Sequence, residues 1–295
     1  MPPSPPASSS YFNLLCEDDA GELADSLAVF VDGEPEVDST RFPADSVDHS
    51  ARRATVEWIL KVRAYYRFSP LTAYLAVIYL NRFLSFHRLQ QNGWALQLLS
   101  VACLSLAVKM EETLVPTLLD LQVEGAKFIF EPRTVLRMEL LVLAALDWRL
   151  RAVTPFTFIN FFALQVDPTS KRAKTLVSKA AQIILSSMQE IDITSHSPSE
   201  LAAAAIICAV DETQDLAIVG PTIAASWFAG LTEERISNCY RTMRRIVVER
   251  RLRKSPVILS QHKVTSPAKR DSGTSSSSST SLPNKRRKHS SHSCD

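Results

Sequence analysis

Glycine is scarce: seven in 295 residues, and no run alternates apolar with polar residues at the period of a strand. Helical spacing instead recurs from Ser46 to Arg253, so the sequence predicts an all-α fold. The five cysteines, Cys16, Cys103, Cys208, Cys239 and Cys294, are odd in number, scattered, and include no CxxC pair. That pattern argues against a disulfide framework or a cysteine-based zinc site and points to a reducing compartment. The start, "MPPSPPASSS", has neither the basic nor the apolar region of a secretory signal. The longest apolar run, Trp94 to Val108, is interrupted by Gln97, Ser100 and Ser105 and is too short to span a bilayer. A soluble intracellular protein with no membrane partner is expected.

Catalytic constellations are missing as well. No glycine-rich phosphate loop, GxSxG, HExxH or paired ExxH occurs. The six histidines, His49, His87, His196, His262, His289 and His292, are dispersed. Glu111 and Glu112 are adjacent, but neighbours on a helix point to different sides and make no acid–base couple. The sequence gives no support to an enzyme, a cofactor or a metal site.

Charge is abundant but segregated. The formal net charge of +2 conceals eleven acids against one base, Arg41, between Met1 and Ser50. From Arg250 to Asp295 eleven Lys/Arg face two acids. Such polarity suggests interaction tails around a nearly neutral body. Four segments follow: an acidic, disordered tail at 1–45, helical domains at 46–153 and 154–253, and a basic, Ser-rich, disordered tail at 254–295, where "GTSSSSSTS" cannot bury enough apolar surface to fold.

Helices are expected over Ser46–Tyr66, with Val47, Ala51, Ala54, Trp58, Val62 and Tyr65 inward, then from Pro70 through "LTAYLAVIYLNRFLSF", and over "WALQLLSVACLSLAVKMEE". The last of these is apolar nearly all round, as a central helix is. "LVPTLLDLQV" breaks the pattern before "EPRTVLRMELLVLAALDW". Beyond Thr154-Pro155 come "PFTFINFFALQ", Ser170–Met188, Ser197–Val210, Pro221–Phe228 and Thr232–Arg253. Ser197 with Glu200 has the form of a capping box.

Two charges are embedded in apolar helices: Lys109 in "SLAVKMEET" and Glu139 in "VLRMELLVLAAL". An unpaired buried ammonium is costly, so Lys109 reaches the surface or meets an acid. The two could form an internal ion pair or serve as polar anchors in a hydrophobic docking surface.

"ARRATVEWILKV", "LAVIYLNRFLS", "LLSVACLSLAVKMEE" and "VLRMELLVLAALDWRL" look like successive pieces of a cyclin box, and with "LLCED" in the front tail the chain resembles a plant D-type cyclin. The resemblance implies two tandem five-helix cyclin-fold domains and a regulatory subunit of a cyclin-dependent kinase acting at the G1/S transition. It places the family's polar kinase anchors on Lys109 and Glu139, with apolar contacts from Leu106, Met110, Leu143, Trp148 and Leu150. The family's substrate-docking patch falls on Ala51, Arg52, Ala54, Thr55 and Trp58; Arg52 and Trp58 match, but their neighbours are small or polar. The second domain would support the first or contact adaptors and kinase inhibitor proteins.

The resemblance also explains "FNLLCEDDAG". The family motif L-x-C-x-E docks in a groove of retinoblastoma-type pocket proteins, and here Leu14, Cys16 and Asp18 match, with Asp18 one methylene shorter than Glu. A retinoblastoma-related protein is therefore an expected partner. "NKRRKH", with Lys285, Arg286, Arg287 and Lys288, reads as a nuclear-import address, implying a nuclear protein with a cytoplasmic pool. Ser266 and Ser255, each followed by proline, are candidate sites for proline-directed phosphorylation. A nucleic-acid-binding cyclin-fold protein is the alternative, prompted by Arg241, Arg244, Arg245, Arg250, Arg251, Arg253 and Lys254. The acidic front segment would be repelled by phosphate, so direct nucleic-acid binding is not expected.

Overall fold

The computed structural model describes residues 49–254 apart from 88, 90–92, 123, 192–194, 214–218 and 229, and of residues 253 and 254 the backbone alone. Among the described residues every regular element is helical. The first half holds α1 (His49–Tyr66), α2 (Pro70–Phe86), α3 (Gly93–Glu111), a single 3-10 turn (Asp120–Gln122) and α4 (Pro132–Ala145). The second holds α5 (Pro155–Val166), α6 (Ala173–Ser187), α7 (Pro198–Asp211), α8 (Pro221–Ala224) and α9 (Glu233–Lys254). The 3-10 turn lies where the sequence shows only a break, and it completes the fifth element of the first half.

Local chemistry sets the helix starts. Pro70 occupies the first turn of α2, where its missing N–H is no loss, and the Ser69 hydroxyl accepts from the Leu71 N–H at 3.3 Å. The Glu112 carboxylate closes the same end, accepting from the Ser69 N–H at 2.7 Å and from the Thr72 hydroxyl. Its negative charge there also complements the helix dipole. At α7 the expected capping box is present, Ser197 accepting from the Glu200 N–H and Glu200 reaching back to the Ser197 N–H.

One central helix organises each half. Helix α3 packs against α1, α2 and α4 and is buried without interruption from Leu98 to Val108. Its length and composition would suit a membrane span, but its apolar circumference is covered by neighbouring helices. In the second half α7 packs against α5, α6 and α9 and is buried from Pro198 to Val210. Tyr74 of α2 meets Phe156 of α5 edge-on at 5.7 Å, and Arg53 of α1 reaches Glu190 beyond α6 at 2.8 Å. The two halves thus share one seam.

Four expectations need correction. Ala54 and Tyr65 are exposed, and α1 instead buries Thr55, Val56, Trp58, Ile59 and Val62. This rotation removes more apolar area from water than the alanine stripe could. Helix α4 ends at Ala145 rather than Trp148, because Asp147 and Trp148 both take left-handed backbone (φ 52° and 59°). Helix α6 begins at Ala173 rather than Ser170, which has φ 56°. Helix α8 stops at Ala224, and Trp227 and Phe228 follow in a bend where they pack on Phe162 and Phe161.

Candidate functional site

At the end of α3 the Lys109 ammonium lies 2.7 Å from both carboxylate oxygens of Glu139 on α4. The partners are unequal: the Glu139 side chain is 6% exposed and the Lys109 side chain 40%. Glu139 sits at the border of the buried face of α4, whose other members are Val135, Met138 and Val142. Lys109 covers it from the solvent side, its stem crossing apolar surface and its head supplying the countercharge. Of the two readings of the embedded charges, the structure shows the internal ion pair, with its lysine partly exposed.

Large apolar side chains are exposed on α4 and on the chain between α3 and α4. Leu136 and Leu140, one turn apart on α4, are 45% and 58% exposed. Met110, Leu114 and Val115 are exposed just after Lys109, as are Leu119, Ile129 and Leu141. Contiguous exposed apolar side chains are a feature of interaction surfaces. Arg133 and Arg137 are exposed on the same helix.

Trp148, just past the end of α4, is 68% exposed and held in left-handed backbone. Bulky residues rarely adopt that conformation, which costs roughly 1–2 kcal/mol. It is fixed by the end of α4: the Leu146 N–H donates to Val142, Asp147 to Ala144 and Trp148 to Leu143. Tyr79 then secures the outgoing chain, its hydroxyl donating to the Leu150 carbonyl at 2.7 Å.

Of the seven residues assigned to kinase contact from sequence, Lys109 and Glu139 form the ion pair, and Met110 and Trp148 are exposed. Leu143 and Leu150 are half-buried against the core, and Leu106 is 5% exposed and belongs to it. Leu106 faces inward because α3 is enclosed there, so it supports the surface from beneath. Leu136, Leu140, Leu114 and Ile129 escaped sequence reasoning, although α4 has more leucines than one buried face can hold. The substrate-docking residues do not make a shared exposed patch. Trp58 is buried with its indole N–H donating to the Glu124 carbonyl at 2.9 Å, while Arg52 donates to the Asn81 side chain at 3.3 Å. Leu14, Cys16, Asp18, Ser255, Ser266, Lys285, Arg286, Arg287 and Lys288 lie outside the described residues.

Folding also brings together His196, Glu200 and Cys239, whose ligand-type atoms lie within 4.8 Å of one another. Their donor chemistry does not fit a cation. Glu200 is already neutralised by Arg235 at 2.9 Å, and burial pushes the Cys239 thiol up to about 12. Burial likewise raises the thiols of Cys103 and Cys208, the latter also facing Asp211 and Glu212. None is a nucleophile at neutral pH.

Two tandem helical domains, each organised around one central buried helix, are the fold of the cyclin class. The chain belongs to the cyclin family, the regulatory subunits of cyclin-dependent kinases: the profile of the cyclin N-terminal domain matches residues 34–151 and that of the C-terminal domain residues 153–294. Its relatives include plant D-type cyclins. It is 48% identical to Cyclin-D1-1 of Arabidopsis thaliana, over 97% of this chain and 92% of that one. It is 52% identical to Cyclin-D2-1 of Oryza sativa subsp. japonica, over 76% and 71% of the two chains. The fold matches the X-ray structure of a viral cyclin from herpesvirus saimiri with a TM-score of 0.63 at 18% identity, covering 78% of this chain and 97% of that one.

Proposed function

We propose that this protein binds a cyclin-dependent kinase through the surface around Lys109 and Glu139 and directs it to a retinoblastoma-related protein at the G1/S transition. The observation that carries the reading is the ion pair, with Leu136 and Leu140 exposed on the helix of Glu139, Met110 exposed next to Lys109, and Trp148 exposed just past the end of that helix. An apolar surface with one charged centre buries area on docking while its polar group fixes register. Activation is a population shift: the surface favours the active kinase conformation by binding it more tightly than the inactive one. No catalytic residue of this chain takes part.

Leu14 and Cys16 would fill apolar pockets of the pocket protein, and Asp18 would supply the acid, its shorter reach lowering affinity modestly. Lys285, Arg286, Arg287 and Lys288 would direct nuclear import. The arginines of α9 give little support to the nucleic-acid alternative. Arg241 is engaged with Asn238, Arg244 with the Tyr240 ring, Arg250 with Ser186 and Arg251 with Glu212. The test of the reading joins two measurements on the full chain: phosphorylation of a pocket-protein tail by a kinase to which it has been added, and calorimetry of a peptide spanning residues 10–22 with the pocket protein. Stimulation, with binding lost in Cys16→Ala, is expected. No stimulation, or peptide binding indifferent to that substitution, contradicts it.

A further inference from the structure

Four sites among the described residues have an arginine three positions before a serine or threonine: Arg52–Thr55, Arg82–Ser85, Arg151–Thr154 and Arg172–Thr175. Basophilic protein kinases select an acceptor hydroxyl by such charge patterning, setting acidic groups of the enzyme against a base upstream of it. By sequence the first site is the strongest, since "RRAT" puts two arginines ahead of Thr55. Folding reverses the ranking. Thr55 is 8% exposed, and its hydroxyl donates to the Ala51 carbonyl one turn back at 2.9 Å. Thr154 is 3% exposed at the start of α5. Ser85 is half-buried, its hydroxyl donating to the Arg82 carbonyl at 2.8 Å. Thr175 alone of the four is exposed.

The chain around Thr175 suits a basophilic enzyme. "KRAKT" (171–175) sets Lys171, Arg172 and Lys174 ahead of the hydroxyl, with both lysines exposed and Arg172 partly so. The only acid between residues 148 and 189 is Asp167, and it is held by the Thr169 hydroxyl and the Arg172 N–H. Thr175 is the third residue of α6, and the bond from the Leu176 N–H to the Arg172 carbonyl, at 3.0 Å, opens that helix. Residues 171–175 can therefore be drawn straight at the loss of few helical bonds, as the end turns of helices are.

We propose that Thr175 is a phosphorylation site for a basophilic serine/threonine kinase, distinct from any cyclin-dependent kinase. Leu176 follows it, so the site lacks the proline that a proline-directed enzyme reads. The Thr175 hydroxyl oxygen bonds to the γ-phosphorus of ATP as the bond from that phosphorus to ADP breaks, and the hydroxyl proton passes to the general base of the kinase. The ester carries roughly −1.5 to −2 charges, which offsets most of the charge of Lys171, Arg172 and Lys174.

The test incubates the native full-length protein with MgATP and the catalytic subunit of cAMP-dependent protein kinase, a basophilic probe, and maps the phosphate by peptide mass spectrometry. Free peptides of residues 49–60 and 168–180, run in parallel, should accept phosphate at Thr55 and at Thr175. In the folded chain phosphate should enter Thr175 and spare Thr55, Ser85 and Thr154. Ser178, exposed one turn further along α6 but without the arginine, should stay unmodified. Arg172→Gln should slow phosphorylation of Thr175 at least about tenfold, both in the chain and in the 168–180 peptide, where folding plays no part. Thr175 left unmodified in the folded chain overturns the proposal. So does phosphate entering Thr55 of the folded chain as fast as Thr175, or a rate at Thr175 indifferent to Arg172→Gln.

Discussion

The Lys109 ammonium contacts both oxygens of the Glu139 carboxylate at 2.7 Å, so the charge most buried at the proposed kinase-docking surface is matched before any partner arrives. The pair consequently has two roles that single substitutions confuse. Lys109→Ala leaves Glu139 buried without its countercharge, and a stability loss of about 1–3 kcal/mol is expected in urea denaturation. Lys109→Met combined with Glu139→Leu removes both charges and should recover most of that loss, because apolar residues of similar size replace the pair.

Trp148 separates binding from folding. At 68% exposure it contributes little to the core. Trp148→Ala should therefore change unfolding stability by no more than about 0.5 kcal/mol. Kinase affinity measured by calorimetry should nonetheless fall by about tenfold or more, since exposed aromatic anchors dominate interfaces.

Acid should act through the connection between α5 and α6. Asp167 accepts from the Thr169 hydroxyl at 2.5 Å and from the Arg172 N–H at 2.6 Å, and these bonds hold its carboxyl below the usual range. The folded state favours the ionised form, so the contribution is fully present above the ordinary carboxylate pKa and is lost as pH falls through the folded value. The melting-temperature gap between wild type and Asp167→Asn should narrow as pH drops from about 6 to about 2. A constant gap would assign the residue no such role.

The buried thiols should be chemically silent. Cys103, Cys208 and Cys239 lie in the core with raised pKa values, burial being the first cause in each. Peptide mapping after iodoacetamide treatment of the native protein at pH 8 should find all three unmodified, and all three alkylated once urea is present.

Glu200 is a further stability anchor. It closes the α7 capping box and pairs with Arg235 while 1% exposed. Glu200→Ala removes both interactions and should lower stability by about 2–4 kcal/mol in the same denaturation assay.

Much of this was legible in residue order because helix starts are local chemistry. Pro70, Pro132 and Pro155 in first turns, and Ser197 with Glu200, announce α2, α4, α5 and α7 without tertiary information. What escaped depends on the third dimension. No helical period distinguishes Leu106, in the core, from Leu140, at the surface, since both lie in leucine-rich helices. The end of α4 carries no glycine, and only hydrogen bonds back to Val142, Leu143 and Ala144 turn the chain there. Glu112 at the start of α2, Trp58 on the Glu124 carbonyl and Arg235 on Glu200 pair residues 35 to 66 positions apart, beyond any local pattern.

The docking account rests most directly on one comparison: the dissociation constant of a cyclin-dependent kinase for the full chain and for its Lys109→Met, Glu139→Leu double variant, with both shown folded by their melting curves. The account predicts affinity at least about tenfold weaker in the variant, a change of about 1.4 kcal/mol, with kinase activation reduced to match. A folded double variant that binds and activates the kinase as the wild type does would contradict it.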